Sequence, residues 1–560
     1  MRIISTLLAV VLLAGCSLPK MIKKIEEVNL EIAPSPLVLQ GNEVSLEITG
    51  NFPPKYFAKK VTLEATPYLV WDGGEVAFRT ANFQGEDAAG NGTVVSWESG
   101  KSISYNATVP YEAAMEDVAR LELRMNGRQG DKTGTFPAIE LGKGVITTQQ
   151  WVQPDEQFVL TQDNFQRVMT YVQEVIVNYG YNSSYVQGTE LRDEDWKAAE
   201  ELFALAASAD SVTIVGISTA AYASPEGEIS LNEDLAMDRA LSANKAVTAE
   251  MGRKRLTLND SSVQEKPEGE DWEGFKSLMR ASDIADKDLI LRVLEMYSDK
   301  NKREQEIKNI AKTYQEIEKS ILPSLRRSQV SITFTVEGYT DEELVDLSKN
   351  NADILTVEEI LFAATLFEDS NDRLEVYQNA ARVHSDDYRT HNNVGVTLME
   401  LGRSNQAAEA FNAAKSLAPN NGSVLTNLGA IARQKGDNAE AATLYAKASG
   451  GPELSHNKGI LAITEGDYAR AISSMGANAN VNLALAKLLN GDANGARTTL
   501  ENSKDDSAVA SYLLAVCAAR LKDNAGVKKH VEDALAKDPT LRSKAQTDLE
   551  FRDHKGALGM

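Results

Sequence analysis

Four positions in the C-terminal half recur at one interval: Gly395 returns at Gly429, Gly402 at Gly436, Phe411 at Tyr445 and Ala414 at Ala448, each 34 residues on. The same step backwards takes Phe411 to Tyr377 and Ala414 to Ala380. Small, turn and aromatic positions aligned at one period constrain the fold more than composition does, because a unit this short cannot bury its apolar face alone and has to stack on its neighbours. The unit reads as a helix pair. Gly395 and Ala414 let two helices approach closely, Gly402 begins the turn between them, and Phe411 fills the gap against the neighbouring unit. Further on the period degenerates: "NKGILAITEGDYARAISSM" keeps the seven-residue spacing of Gly459 and Gly466 at a register of 30. "ALAKLLNGDANGARTTL" and "SYLLAVCAARLKDNAGVKKHVEDALAKDP" still read as pairs. About five or six units are expected over 351–545, ending near Pro539.

The stretches "NNVGVTLMELGRSNQAAEAFNAAKSLAPNN" and "TNLGAIARQKGDNAEAATLYAKASG", with Pro419 at a repeat end, resemble tetratricopeptide (TPR) repeats. The resemblance implies an all-α TPR superhelix whose concave face holds a protein partner, as a peptide or a helix. A purely structural array is the other reading.

Upstream, residues 28–148 have a β texture, with alternation at Val44, Leu46 and Ile48 and again at Val61 and Leu63, and Gly, Pro and Asn between the runs. An antiparallel all-β sandwich is expected, since strands without intervening helices cannot form a parallel sheet. No metal cluster, nucleophile or phosphate loop marks it, and it reads as a spacer or docking module. Residues 155–337 change character. Val175 to Tyr181 reads as a strand, "DEDWKAAEELFALAAS" as a helix that Asp193 could cap with Trp196, Ala199, Leu202 and Leu205 on one face, and Val212 to Thr219 as a second strand. A Ser-Pro-Glu-Gly bend, another helix, a helical insertion and the strand "SQVSITFTVEGY" follow. The order gives an α/β sandwich with helices on one face.

Asn232, Leu235, Arg239 and Ala240 on the helix after that bend, Gly227 in the turn, and the pair Arg326 and Arg327 before the last strand resemble the OmpA-like domain of peptidoglycan-associated outer-membrane proteins. "GEDWEGFKSLM" resembles an insertion in one branch of that family, and its residues alone read as a capped helix start. The resemblance implies a peptidoglycan site for the zwitterionic end of a stem peptide. Arg239 would take the carboxylate bidentately, helped by the helix N-terminus, and an acidic side chain would take the ammonium. This sequence departs from the family at the acid: Ser224 stands where the family has Asp, leaving Glu226 as the substitute. The candidate set is Ser224, Glu226, Asn232, Arg239, Arg326 and Arg327. A surface role for Arg239, paired with Asp238 or Glu233, is the plain alternative.

The first residues place the chain in the cell. "MRIISTLLAVVLLAGC" has one positive charge and an apolar run too short to span a bilayer, and it ends in Leu-Ala-Gly-Cys. That ending resembles the lipobox of bacterial lipoproteins, which implies a signal peptide over 1–15, acylation of Cys16 and a lipid-anchored linker over 16–27. By the same analogy, the absence of Asp after Cys16 implies the outer membrane, and the absence of an acidic tether implies the periplasmic side. Removing 1–15 deletes Arg2 and leaves 545 residues (560 − 15) at a formal charge of −24 (−23 − 1). So acidic a surface repels phosphate backbones, which argues against nucleic-acid binding. Cys517 in "ASYLLAVCAARL" reads as core, and His384, His391, His456, His530 and His554 share no metal-ligand spacing. No cofactor, metal or catalytic arrangement is expected. The main reading is a non-enzymatic outer-membrane scaffold that holds peptidoglycan and recruits partners through its repeats in an envelope assembly or secretion machine; a pure protein adaptor is the alternative, and a wall-acting enzyme using a carboxylate such as Glu226 is the third.

Overall fold

The computed structural model describes residues 17–116 and 119–559. The expected signal peptide over 1–15 and the expected acylation site, Cys16, lie outside the described residues. The three regions read from the sequence fold as two compact units: one takes the chain through Gln162 and again from Phe367, and the other is Asp163–Leu366.

In the first unit, alternation of buried and exposed residues along Glu43–Phe52 and Thr62–Trp71 lets two sheets share one interior. Val44, Leu46 and Ile48 of one sheet meet Leu69 and Leu121 of the other. Long strands pair antiparallel, as Glu43–Phe52 does with Lys101–Pro110 and Thr62–Trp71 with Arg120–Gln129. Two short pairings depart from the antiparallel expectation: Val145–Ile146 runs parallel to Leu37–Gln40, and Thr93–Val95 runs parallel to Ala81–Gly85. The segment expected as a linker is folded. Leu18–Lys23 is a helix whose Leu18 and Met21 are buried in the β core, and Tyr56 donates its hydroxyl to the Met21 carbonyl at 3.1 Å. Apolar side chains at these two positions make this N-terminal segment part of the body, which the charge-rich "KKIEE" that follows conceals.

Helix pairs complete this unit: Tyr388–Glu400 with Ser404–Leu417, Gly422–Gln434 with Asn438–Lys447, Pro452–Thr464 with Tyr468–Met475, Val481–Leu489 with Ala493–Ser503, and Ala508–Arg520 with Asn524–Lys537. Phe411 closes on Gly395 of its own pair rather than on the next, and a β-carbon at Gly395 would fall 2.5 Å from Phe411 Cε1. Tyr445 covers Gly429 in the same way. Gly402 (φ 71°) and Gly436 (φ 84°) hold the left-handed turn between the helices of a pair. Ala448 is not the counterpart of Ala414 in conformation: its helix ends at Lys447, and Ala448 is already extended.

The second unit carries a four-stranded sheet in the order Val168–Asn178, Arg327–Glu337, Val212–Ala223, Val263–Glu270. Arg327–Glu337 runs antiparallel to both of its neighbours, and the last strand runs parallel to Val212–Ala223. Helices Glu194–Ser208 and Ile229–Arg253 bury Trp196, Phe203, Ala243 and Val247 against Val175, Ile214 and Ile332. Leu205 is 50% exposed and takes no part in this face. Nine residues on from Trp196 puts it half a turn away, whereas Phe203 at seven residues returns to the core side. Asp193 sits at the N-cap position of that helix, but its side chain accepts no capping hydrogen bond. The insertion, helices Trp272–Ala281, Lys287–Met296, Lys300–Lys308 and Ala311–Ser320, has its own small core around Phe275, Met279, Ile290 and Ile317. Helices Asp341–Asn350 and Val357–Thr365 close the unit, where Phe362 stacks on Phe165 at 4.5 Å.

Candidate functional site

The bend after Val212–Ala223 brings most of the sequence-derived residues together, and it is full. Ser224 donates its hydroxyl to Glu226 Oε1. The same carboxylate oxygen takes Arg326 Nη2 at 2.9 Å and Arg326 Nε at 3.0 Å, and that Nε also lies 3.3 Å from Ser224 Oγ. Asn232, one turn into the helix, donates to Glu270 Oε1 at 3.0 Å and to the Ser224 carbonyl at 3.4 Å. All of these side chains are buried or nearly so. Arg327 points elsewhere, pairing with Asp271 Oδ2 at 2.8 Å over the Tyr222 ring, while Asp271 Oδ1 caps the insertion helix at Gly274 N.

Arg239 is 1% exposed. Its Nη1 donates to the Tyr222 carbonyl at 2.8 Å, Nε to Ser183 O at 3.0 Å and Nη2 to Gly180 O at 3.3 Å, and the guanidinium lies 5.1 Å from the Tyr179 ring centroid. Burial pushes it down to about 10, still a cation at neutral pH. It is therefore neither the surface arginine nor an outward carboxylate ligand: three backbone carbonyls of its own unit take its fork. Chemically the bend satisfies itself. Of the charge pair expected to meet a zwitterion, Glu226 is paired with Arg326 and Arg239 is held by backbone carbonyls.

The second site was not read from the sequence. The first helices of four successive pairs each carry an asparagine two residues before the small close-packing residue: Asn393 before Gly395, Asn427 before Gly429, Asn457 before Gly459 and Asn482 before Ala484. Each side-chain amide clasps both backbone groups of one residue in the extended segment 153–161. Asn482 accepts from Gln153 N (2.8 Å) and donates to Gln153 O (3.0 Å), and Asn457 does the same at Gln157 (2.8 and 2.8 Å). Asn427 holds Val159 (2.7 and 3.0 Å) and Asn393 holds Thr161 (2.9 and 2.9 Å). At the intermediate residue, His456 Nε2 meets the Asp155 carbonyl at 3.1 Å. All four asparagines are buried, and their amides can form such two-point bonds with a strand because a primary amide presents donor and acceptor side by side.

Two side chains of the segment are read as well as its backbone. Glu156 is buried against Arg433 in an ion pair, and Gln434 Nε2 donates to its other oxygen at 3.1 Å. Phe158 lies parallel to Phe411 at 6.0 Å. Just before the segment, Trp151 packs on Tyr512 at 4.6 Å. The face on which a partner is expected is thus occupied, from Tyr388–Glu400 to Val481–Leu489, by residues 153–161, of which 155–161 fall in the span expected as the head of the α/β module. Cys517 is fully buried, and burial pushes its thiol up to about 12. Among the described residues no group of His, Cys, Asp or Glu is placed to hold a metal ion, and no helix is long and apolar enough to cross a membrane.

The tetratricopeptide repeat family model matches residues 388–421, the stretch that contains Asn393, Gly395, Gly402 and Phe411. The array carries a tetratricopeptide repeat. Similar solved structures include the APC/C hetero-tetramer Cut9-Hcn1 (16% identity, TM-score 0.32, 39% of this chain and 46% of that one). Others are pilF of Pseudomonas aeruginosa (15%, 0.28, 39% and 98%) and a tetratricopeptide repeat protein from Parabacteroides merdae (16%, 0.28, 46% and 98%). The chain thus spans less than half the length of the Cut9-Hcn1 chain it matches. No curated protein matches the chain. TPR repeats point to a protein–protein interaction role.

Proposed function

We propose that this chain is a non-enzymatic adaptor at the bacterial outer membrane, lipid-anchored through Cys16 and facing the periplasm, that joins proteins of an envelope assembly or secretion machine. The TPR array is its interaction surface, and the OmpA-like module serves as a body for protein contact, not as a cell-wall ligand site. The observation that carries this reading is the closed bend: Glu226 is held by Ser224 and Arg326, and Arg239 is bound to the carbonyls of Gly180, Ser183 and Tyr222. To reach the Arg326 guanidinium, a stem-peptide carboxylate would have to break its buried ion pair with Glu226, which costs about 3–5 kcal/mol before any contact is made, and to reach Arg239 it would have to displace three backbone carbonyls. The helix starting at Leu18 supports a tight anchor, since lipid on Cys16 would hold the β-rich region at the bilayer surface.

Co-sedimentation with purified sacculi tests the adaptor reading, using protein that begins at Ser17. Wild type is expected to stay in the supernatant. Saturable pelleting of wild type that Arg326→Ala abolishes, with the melting curve preserved, would restore wall binding.

A further inference from the structure

We infer that the asparagine-lined groove of the TPR array is a receptor for extended peptides with an acidic residue followed two positions later by an aromatic one, and that residues 153–161 occupy it in cis as its built-in competitor. The inference rests on the reading of the array as a protein-interaction surface and adds what that surface recognises. Three features of the groove define the ligand. Each of Asn393, Asn427, Asn457 and Asn482 bonds both main-chain groups of one segment residue, which selects an extended backbone, while Asn393 also accepts from Thr161 Oγ1 at 2.7 Å and Asn482 also donates to Asp155 Oδ1 at 2.8 Å. Arg433, its side chain largely covered, and Gln434, at the exposed rim, converge on one carboxylate, that of the buried Glu156. Phe411, whose edge already covers Gly395, offers a flat face to one aromatic ring, Phe158. A buried guanidinium is costly without an anion, so an empty groove would leave Arg433 in an unfavourable state that any suitably spaced acidic peptide relieves.

Covalent attachment decides the competition. A tethered segment faces its groove at an effective concentration on the order of millimolar, so a free peptide with the same contacts binds weakly until the cis segment is weakened or pulled away. The occupant of interest is therefore a partner protein carrying the same acidic-x-aromatic strand.

A fluorescent peptide with the sequence of residues 152–162 tests this on the whole chain beginning at Ser17, by anisotropy. Wild type is expected to bind it weakly. Glu156→Gln combined with Phe158→Ala in the chain should tighten peptide binding at least ~10-fold. Adding Arg433→Ala to that variant should abolish the gain, as should replacing the peptide's Glu and Phe by Gln and Ala. A milder arm uses the single change Phe158→Ala, and an arm without any mutation follows amide hydrogen exchange at Gln153, Gln157, Val159 and Thr161 of wild type, which excess peptide should accelerate. If folded variants gain no affinity and excess peptide leaves the exchange unchanged, residues 153–161 are a permanent strap and the inference fails. Failure here would leave the closed bend and the sacculus result untouched, so the two readings fall separately. Equal, tight binding to wild type and variant would also overturn it, because the groove would not be occupied in cis.

Discussion

Arg239 shows what helical spacing does and does not tell. The interval from Asn232 to Arg239 places both on the side of Ile229–Arg253 that faces the bend, and both are buried there. Spacing cannot say which acceptors a long side chain finds. The loop after Val168–Asn178 supplies Gly180 and Ser183 carbonyls over the guanidinium, and nothing in "YGYNSSY" announces that. The Arg326–Glu226 pair was equally hidden, because its members are a hundred positions apart and meet only through the pairing of Arg327–Glu337 with Val212–Ala223. Removing Arg239 should therefore read out as stability. Arg239→Ala orphans three partly buried carbonyls and leaves a cavity where a fully buried side chain stood, and should lower the unfolding free energy of the α/β unit by roughly 3 kcal/mol, measured by denaturant titration of the full chain. Arg239→Lys should recover only part of this, since an ammonium cannot reproduce the planar fork. A melting curve unchanged by the alanine would mean that the side chain is not held as described.

At the scale of elements, the turns of the array repeat more faithfully than its helices. Gly402, Gly436, Gly466 and Gly491 all have positive φ just past the first helix of a pair. In the second, third and fourth pairs the next residue is an aspartate, Asp437, Asp467 and Asp492, whose side chain caps the following helix. The glycine pattern was legible because a left-handed residue has one cheap solution. The asparagine ladder was not, although Asn-x-Gly recurs with the glycines, because side chains that bond a distant strand leave no hydrophobic period behind. The edge strand Val263–Glu270 escaped for a related reason: "VQEKPEGE" pairs on one side only and carries the charges and proline that protect a sheet edge. In the last pair the turn position is Lys522, exposed and at φ 60°, followed by the cap Asp523. A β-carbon in the left-handed region costs roughly 1–2 kcal/mol, partly offset by the larger unfolded-state entropy of glycine. Lys522→Gly should thus stabilise the array by about 0.5–1 kcal/mol in denaturant melts. A loss of stability would show that the lysine side chain makes a compensating contact.

For the whole molecule, order along the chain is a poor guide to which parts fold together. The β-rich region and the helical array form one unit, although the 204 residues of Asp163–Leu366 (366 − 162) are inserted between them in the chain. Their junction is polar and specific. Gln149 bonds Gly41 through both its amide atoms and accepts from Tyr468 OH at 2.7 Å, Gln40 Nε2 donates to Gly466 O at 2.9 Å, and Lys544 pairs with Glu116. Gly41 and Gly466 approach so closely that a β-carbon on either would collide with the other's backbone neighbourhood. Composition marks each part as β or α but carries no trace of such a junction, because its residues are single polar side chains and glycines scattered over both ends. The consequence is an asymmetry between fragments. Residues 163–366, which keep their own core around Val175, Phe203 and Ile332, should melt in isolation within a few degrees of their transition in the full chain. Residues 17–162 alone lose the junction and the groove, and with each net hydrogen bond contributing about 1 kcal/mol their midpoint should fall by roughly 5 °C or more. Scanning calorimetry of the two fragments beside the full chain decides the matter: an unchanged midpoint for 17–162 would mean that the two ends merely touch, and that the groove segment is held by the array without stabilising the sheets it leaves.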